Sequence, residues 1–415
     1  MNQHDRRILI FELSVGGHYP EYISYLVTYW CEQQLSGSLY VIVIPKFLEQ
    51  HPDVVAIPAN YRTNNVEFIS LTPEEQAKLK PYRSGIDRQV RAWQEFNLLD
   101  KYASSLQVDR AFIPYFDTRM LPLALGKSLP CSFSGIYFRP SFHYPNFSGD
   151  RPSLKEKLQH LREKIILSGV LQHRNLETLY SLDPFAVEPI NCLGERQIAE
   201  PLPDPVKIHR SSTERTAMKS KLGIENNRQV HLLFGDLNKR KGIDQVLAAV
   251  ALLPRKLASQ LCLLLVGSMS EENLLRLQKQ IDRVCRSTPV QIVRHNQYIP
   301  EEDIQNYFEV ADVILAPYQR HVGMSGILNR AAVAQKPVLS SDYGLMGEIT
   351  RRYQLGLTVD SQSPQKIAKG LSKFLQESPD EQCNYQQMAL FARQNSVAKF
   401  ASKIFDNLQT SSLKV

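Results

Sequence analysis

Three short stretches combine glycines, cations and hydroxyls in the manner of an anion-binding loop. In Ser14-Val15-Gly16-Gly17-His18 two glycines permit a sharp turn and close backbone approach, ahead of a helix whose first amides are unpaired. The spacing is not Gly-x-Gly-x-x-Gly, so no dinucleotide fingerprint is met, and a plain turn between strand and helix explains the same residues. In Phe234-Gly235-Asp236-Leu237-Asn238-Lys239-Arg240-Lys241-Gly242 three consecutive cations stand at a strand end, placed to neutralise a diphosphate. An exposed basic turn is the alternative. The third stretch runs from Ala311-Asp312 through Pro317-Tyr318 to Gly323-Met324-Ser325-Gly326-Ile327-Leu328-Asn329-Arg330 and two alanines. There Ser325 and Gly326 present a hydroxyl and amides at a helix start, while the alanines also suit close helix-to-sheet packing.

Loops of this kind need a strand behind them and a helix ahead. Residues 7–11 and 39–43 are strand-like and 21–34 helix-like, a βαβ opening. The alternation resumes with strands at 229–234, 261–266 and 290–294 and helices at 243–253 and 271–285. The expected fold class is therefore α/β, two Rossmann-like doubly wound domains. Residues 188–207 hold four prolines and a glycine, the composition of a connection. The expected domains are 1–190 and 191–385, followed by a C-terminal segment 386–415 in which 387–408 reads as one helix. Residues 153–182 interleave Leu and Ile at helical spacing with Lys155, Lys157, Arg162, Lys164, His173 and Arg174. Two readings of that stretch stand, a surface helix packing through its apolar stripe or a helix lying on a membrane. The lack of Trp or Phe on the stripe favours packing.

Taken in order, Gly235, Leu237, Lys241, Gly242, the strand end Leu264-Leu265-Val266-Gly267, Ile299-Pro300-Glu301-Glu302-Asp303, Ala311-Asp312, Pro317-Tyr318, Ser325-Gly326, Lys336-Pro337-Val338 and Asp342-Tyr343-Gly344 resemble the C-terminal half of glycosyltransferase family 4, the group 1 glycosyltransferases. The likeness covers roughly residues 230–374; the first half shares mainly the Gly16-Gly17 loop and the strand pattern. It implies a GT-B fold with an interdomain cleft, a nucleotide-sugar donor held mainly by the second domain, an acceptor met mainly by the first, and a last helix crossing back to the first. The resemblance maps the family's diphosphate-holding lysine onto Lys241 and its phosphate-facing loop onto Gly323, Met324, Ser325 and Gly326. Gly16, Gly17, Gly235 and Asn329 join them as donor-binding candidates. Lys241 and Arg240 would stabilise the leaving phosphate. Asp117 of Tyr115-Phe116-Asp117-Thr118 and His18 are the catalytic candidates of the first domain, with His18 and Arg139 on the acceptor side; for each, a structural hydrogen bond is an equal reading. The implied transfer retains the donor's anomeric configuration and uses no metal. No Asp-x-Asp motif is present, and no cofactor is expected beyond the nucleotide-sugar as co-substrate. Two departures stand out. The positions of the family's glutamate pair hold Val322 and Arg330, with His321 and Asn329 each one position away, and the arginine of its Gly-Arg-Leu turn is Asp236.

With 415 residues, 43% of them hydrophobic, the chain can bury two cores. Lys and Arg number 49 against 42 for Asp and Glu. That modest excess of +7 suits an anionic substrate or membrane surface; no nucleic-acid partner is expected. Six cysteines without metal-ligand spacing read as reduced thiols, which makes the Asn146-Phe147-Ser148 sequon meaningless. No apolar run is long enough to span a bilayer. The expected location is cytoplasmic, with peripheral contact at the inner membrane face left open. Polysaccharide, lipid and small-molecule acceptors are all compatible. A binding module without turnover, motivated by Val322 and Arg330, is the alternative; a nucleotide-sugar epimerase would need a carboxylate pair that is not evident.

Overall fold

The computed structural model describes residues 6–81, 83–147, 152–207 and 214–409. Ser148 of the sequon and residues 410–415 of the C-terminal segment lie outside them. Two compact units emerge, each built on one parallel sheet. In the first, β1 (Arg7–Phe11), β2 (Ser38–Val43), β3 (Val66–Ser70), β4 (Arg110–Ile113), β5 (Ser132–Tyr137), β6 (Leu176–Ser181) and β7 (Ala199–Pro201) pair in the order β3-β2-β1-β4-β5-β6-β7. In the second, β8 (Gln229–Phe234), β9 (Leu261–Val266), β10 (Gln291–His295), β11 (Val313–Ala316), β12 (Val338–Ser341) and β13 (Gly356–Val359) pair as β10-β9-β8-β11-β12-β13. Helices cover both faces of such sheets, so central strands must be apolar along their length rather than alternating. β9, Leu-Cys-Leu-Leu-Leu-Val, is buried throughout, as are Ile8 to Phe11 of β1.

The cut between the units falls inside the 188–207 connection, at Pro203 and Asp204 rather than at 190 and 191. The first takes in residues up to Pro203, and again 397 onward, and the second takes Asp204–Ser396 together with a short segment beginning at Tyr144. The proline-rich stretch is partly structured: β7 hydrogen-bonds to β6, and the Asn191 amide donates to Ala199 O (3.1 Å) while accepting from Ala199 N (2.8 Å). These ties bind residues beyond 190 to the first sheet.

The stretch 387–408 is two helices, Tyr385–Gln394 and Val397–Gln409. They part at Asn395, whose Oδ1 accepts from Asp204 N (2.9 Å) and whose carbonyl accepts from Val206 N (3.2 Å). The second helix packs on the helix Tyr19–Glu32 through Phe400 against Tyr22 (4.9 Å between ring centroids) and Phe405 against Trp30 (5.4 Å). Arg110 of β4 donates to Asn407 O at 2.9 Å.

Residues 153–182 divide into a helix, Leu154–Leu171, and β6, which leaves His173 and Arg174 in the intervening turn. The helix packs through Ile166, Leu167, Val170 and Leu171, which join the core of the first unit, whereas Leu154, Leu158, Leu161 and Ile165 are exposed. Among the described residues no helix is long and apolar enough to cross a membrane.

His231 on β8 is fully buried, with Nε2 2.7 Å from Gln229 Oε1. Burial lowers its pKa to about 4. The unfolded chain therefore takes up a proton near pH 6.5 that the folded chain refuses until about pH 4. Stability is lost as pH falls through this window, by about 2 kcal/mol between pH 7 and pH 5. Urea unfolding at those two pH values is expected to show that loss in the wild type and a smaller one in His231→Leu; equal losses would refute the assignment.

Candidate functional site

In the second sheet the chain leaves β8 toward β9 and β10 on one side, while β11 lies on the other and leads to β12 and β13. The loops after β8 and β11 thus diverge at the topological switch point, where open α/β sheets bind ligands. After β8 the backbone turns at Gly235 with φ +103°. A Cβ there would lie 2.9 Å from Lys241 Nζ, so glycine answers both the left-handed turn and the room the lysine needs. Asn238 Oδ1 accepts from Arg240 N at 3.0 Å, fixing a short 3-10 turn over Lys239–Lys241 that ends at Gly242 with φ +75°.

That turn sends Lys241 inward. The side chain is 7% exposed; its ammonium donates to Phe234 O at 2.8 Å and to the Tyr318 hydroxyl, and sits 4.4 Å from the centroid of the Tyr318 ring. Arg240 stays exposed with its guanidinium carbon 5.1 Å from the same centroid. Tyr318, just past β11, is fully buried, and its carbonyl accepts from Ser361 Oγ at 2.8 Å. The Ser325 hydroxyl also donates to the Tyr318 hydroxyl, at 3.3 Å. Ser325 therefore does not cap the helix Gly326–Val333 with its side chain, and the positive end of that helix is left for another acceptor.

Gly323 has φ +94° and donates its N–H to the hydroxyl of Tyr144 at 2.9 Å. Met324 O lies 3.3 Å from His321 Nε2. Asn329 is 1% exposed and its Nδ2 donates to Asp204 O at 2.7 Å, while its Oδ1 is buried without a hydrogen-bond partner among the described residues. Arg330 pairs with Glu301, at the start of the helix Glu301–Val310, at 2.6 Å. Asp236 is exposed and accepts from Asn238 Nδ2 at 2.7 Å.

In the first unit the switch point lies between β1 and β4. Gly16, Gly17 and His18 form an exposed loop after β1, with Gly17 at φ +71° and His51 Nε2 2.9 Å from Val15 O. Asp117 follows β4. Its two oxygens accept N–H groups from the end of β5, Phe138 N at 2.9 Å and Arg139 N at 3.2 Å. Burial outweighs those donors and the Arg139 charge, and the carboxyl pKa is pushed up to about 6. Tyr19, Tyr115 and Phe138 stand around it, with ring centroids 5.1 to 5.9 Å apart, and Arg139 is exposed. Beneath, Glu12 is fully buried with Oε1 accepting from Ser14 N at 2.9 Å, and burial raises its pKa.

Sequence reasoning singles out Lys241 and Asp117 by their positions after strands and Ser325 by its place at a helix start. It missed what Tyr318 does for Lys241 and Tyr144 for Gly323. The first was legible as an aromatic two residues past a strand; the second pairs positions 179 residues apart and leaves no local signal. Among the described residues no group of three or more His, Cys, Asp or Glu is arranged to hold a metal ion.

Two all-parallel doubly wound units of this kind are shared with solved structures of the GT-B fold class. HepE of Anabaena in complex with UDP is similar over 97% of this chain and 99% of that one, with TM-score 0.67 and 13% identity. WaaG, a glycosyltransferase involved in lipopolysaccharide biosynthesis, is similar over 98% and 100%, with TM-score 0.64 and 15% identity; at such identities the likeness is one of fold. Residues 214–389 match the family model described as glycosyl transferases group 1, and this segment belongs to that family. The D-inositol 3-phosphate glycosyltransferase of Streptomyces griseus is 23% identical over 219 residues, 51% of this chain and 46% of that protein. The lipopolysaccharide glucosyltransferase WaaG of Escherichia coli is 24% identical over half of each chain. The chain thus spans about half the length of the curated relatives it matches.

Replacing Lys241 by Met keeps the aliphatic stem and removes the charge. A buried ammonium held only by neutral groups is destabilising on balance. The unliganded Lys241→Met protein is expected to melt at the wild-type temperature or above it. A drop of several degrees in a calorimetric scan would make Lys241 a structural tie instead.

Proposed function

We propose that the chain transfers a sugar from a nucleotide diphosphate sugar, the diphosphate being held in the second unit by Lys241 and the first turn of the helix Gly326–Val333. The observation that carries this reading is the Lys241 ammonium, whose contacts among the described residues are a carbonyl, a hydroxyl and a ring face. A diphosphate would supply the missing counter-charge, and Arg240 adds a second cation over the same ring. As the glycosidic bond breaks, negative charge grows on the leaving phosphate, and fixed donors already aimed there lower the barrier. In this reading the cations and helix amides do the work of a metal ion, transfer proceeds with retention, and the leaving phosphate helps to deprotonate the acceptor. Asp117, as a carboxylate, accepts a hydrogen bond from the acceptor hydroxyl, with His18 and Arg139 exposed on the same side of the first sheet. The relatives' names support the activity, and the HepE complexes with UDP and UDP-glucose make UDP the first nucleotide to try.

A thermal-shift series with UDP, GDP, ADP and their sugar conjugates tests the donor. One nucleotide at saturating concentration is expected to raise the melting temperature by roughly 5 °C, and Lys241→Met to abolish the rise. No shift with any nucleotide sinks the donor reading, and a shift without sugar release or transfer makes the chain a binding module.

With a donor in hand, turnover is expected to fall toward acid as Asp117 takes up its proton near pH 6. Asp117→Asn should lower turnover roughly a hundredfold and remove that limb. An unchanged pH profile in the variant would take Asp117 out of the chemistry.

A further inference from the structure

The helix Leu154–Leu171 buries Leu167, Val170 and Leu171 near its C-terminus, with Ile166 packed against the same core, but up to Ile165 it is amphipathic in the reverse of the usual sense. Its acids face inward: Glu156 closes a capping box with Ser153, and Glu163 accepts from Tyr137 OH (2.5 Å), Ser141 N (2.9 Å) and Ser141 Oγ (2.7 Å). The aliphatic side chains of this part face out. Leu154, Leu158, Leu161 and Ile165 are 79%, 68%, 55% and 65% exposed, and their spacing sets them in one stripe. Lys155, Lys157, Arg162 and Lys164 are exposed beside it, and neither acid of the helix is exposed with them. A shallow pocket lined by Ile86, Arg88, Val90, Trp93 and Arg162 joins this face to the start of the helix Gly85–Ser105, where Ile86 is 77% exposed. Trp93 supplies the aromatic group that the stripe itself lacks.

We propose that this face of the first unit docks on an anionic phospholipid surface, the aliphatic stripe entering the acyl boundary and the flanking cations meeting headgroup phosphates. Charge complementarity decides the occupant. A second copy meeting this face through its own would set Lys against Lys. A protein partner is less suited to a patch whose cations are mostly lysine, since protein interfaces are depleted in Lys and built on aromatic and Arg anchors. Leu and Ile flanked by Lys on one helix is the pattern of a helix lying in a lipid interface. The readout does not depend on sugar transfer.

The test uses the whole chain in co-sedimentation with vesicles of phosphatidylcholine alone and of phosphatidylcholine mixed with phosphatidylglycerol. Binding is expected to the mixed vesicles, weakening with added salt, with a blue shift in the emission of Trp93; the other tryptophan, Trp30, is fully buried. Leu158→Glu with Ile165→Glu is expected to weaken partitioning by about tenfold or more. Lys155→Gln and Lys157→Gln, surface changes that spare the fold, are each expected to weaken it by about fivefold. No partition to the mixed vesicles, equal partition to both kinds, or partition indifferent to the lysine changes overturns the proposal. So does self-association that Leu158→Glu abolishes without any vesicle binding.

Discussion

A positive charge buried among neutral groups is the constraint around which the second unit is arranged. The Lys241 ammonium has a carbonyl, a phenol and a ring face for company, which orient a cation without neutralising it. Its neighbours are shaped by that arrangement: a glycine at 235 to leave room, an asparagine at 238 to hold the turn, a tyrosine at 318 locked by Ser361. Ser325, drawn to the same phenol, leaves its own helix end uncapped. Two sources of positive potential, one a side chain and one a helix terminus, are thereby tied to one hydroxyl.

The first unit answers with the opposite sign. At its switch point a carboxyl is desolvated until it is only weakly acidic, although two amides favour its charged form. The same sheet geometry brings both groups about, since each stands on the first residues past a parallel strand beside the place where the winding reverses. The fold supplies location, and the residue type decides whether the location offers a cation or a carboxyl.

How much of this was legible depended on range. Strands such as 7–11, 229–234 and 261–266 coincide with the observed ones, because buried parallel strands write themselves as unbroken apolar runs. The loops that follow them were readable for the same reason. Asn329 illustrates the limit: its position beside the glycine loop makes it a donor candidate, while the partner of its amide nitrogen, Asp204 O, is set by tertiary packing. Tyr144 was invisible for the same cause. The helix Leu154–Leu171 shows a limit of rule rather than of distance: its apolar residues fall on two faces, Ile166, Leu167, Val170 and Leu171 toward protein and Leu154, Leu158, Leu161 and Ile165 outward, and periodicity alone does not tell them apart. The break at Asn395 was overlooked since apolar spacing continues across it on both sides, and only the ties to Asp204 and Val206 show why the helix stops there.

The helix Val397–Gln409 makes the first unit discontinuous in the chain. Its Phe400, Ile404 and Phe405 are buried, with Tyr22 and Trp30 among their ring partners, while the second unit is contained in the residues before Val397. The last wall of the first core is therefore supplied from beyond the whole of the second unit. Its closure joins segments far apart in sequence, and a contact of that kind meets its loop entropy before it gains its packing.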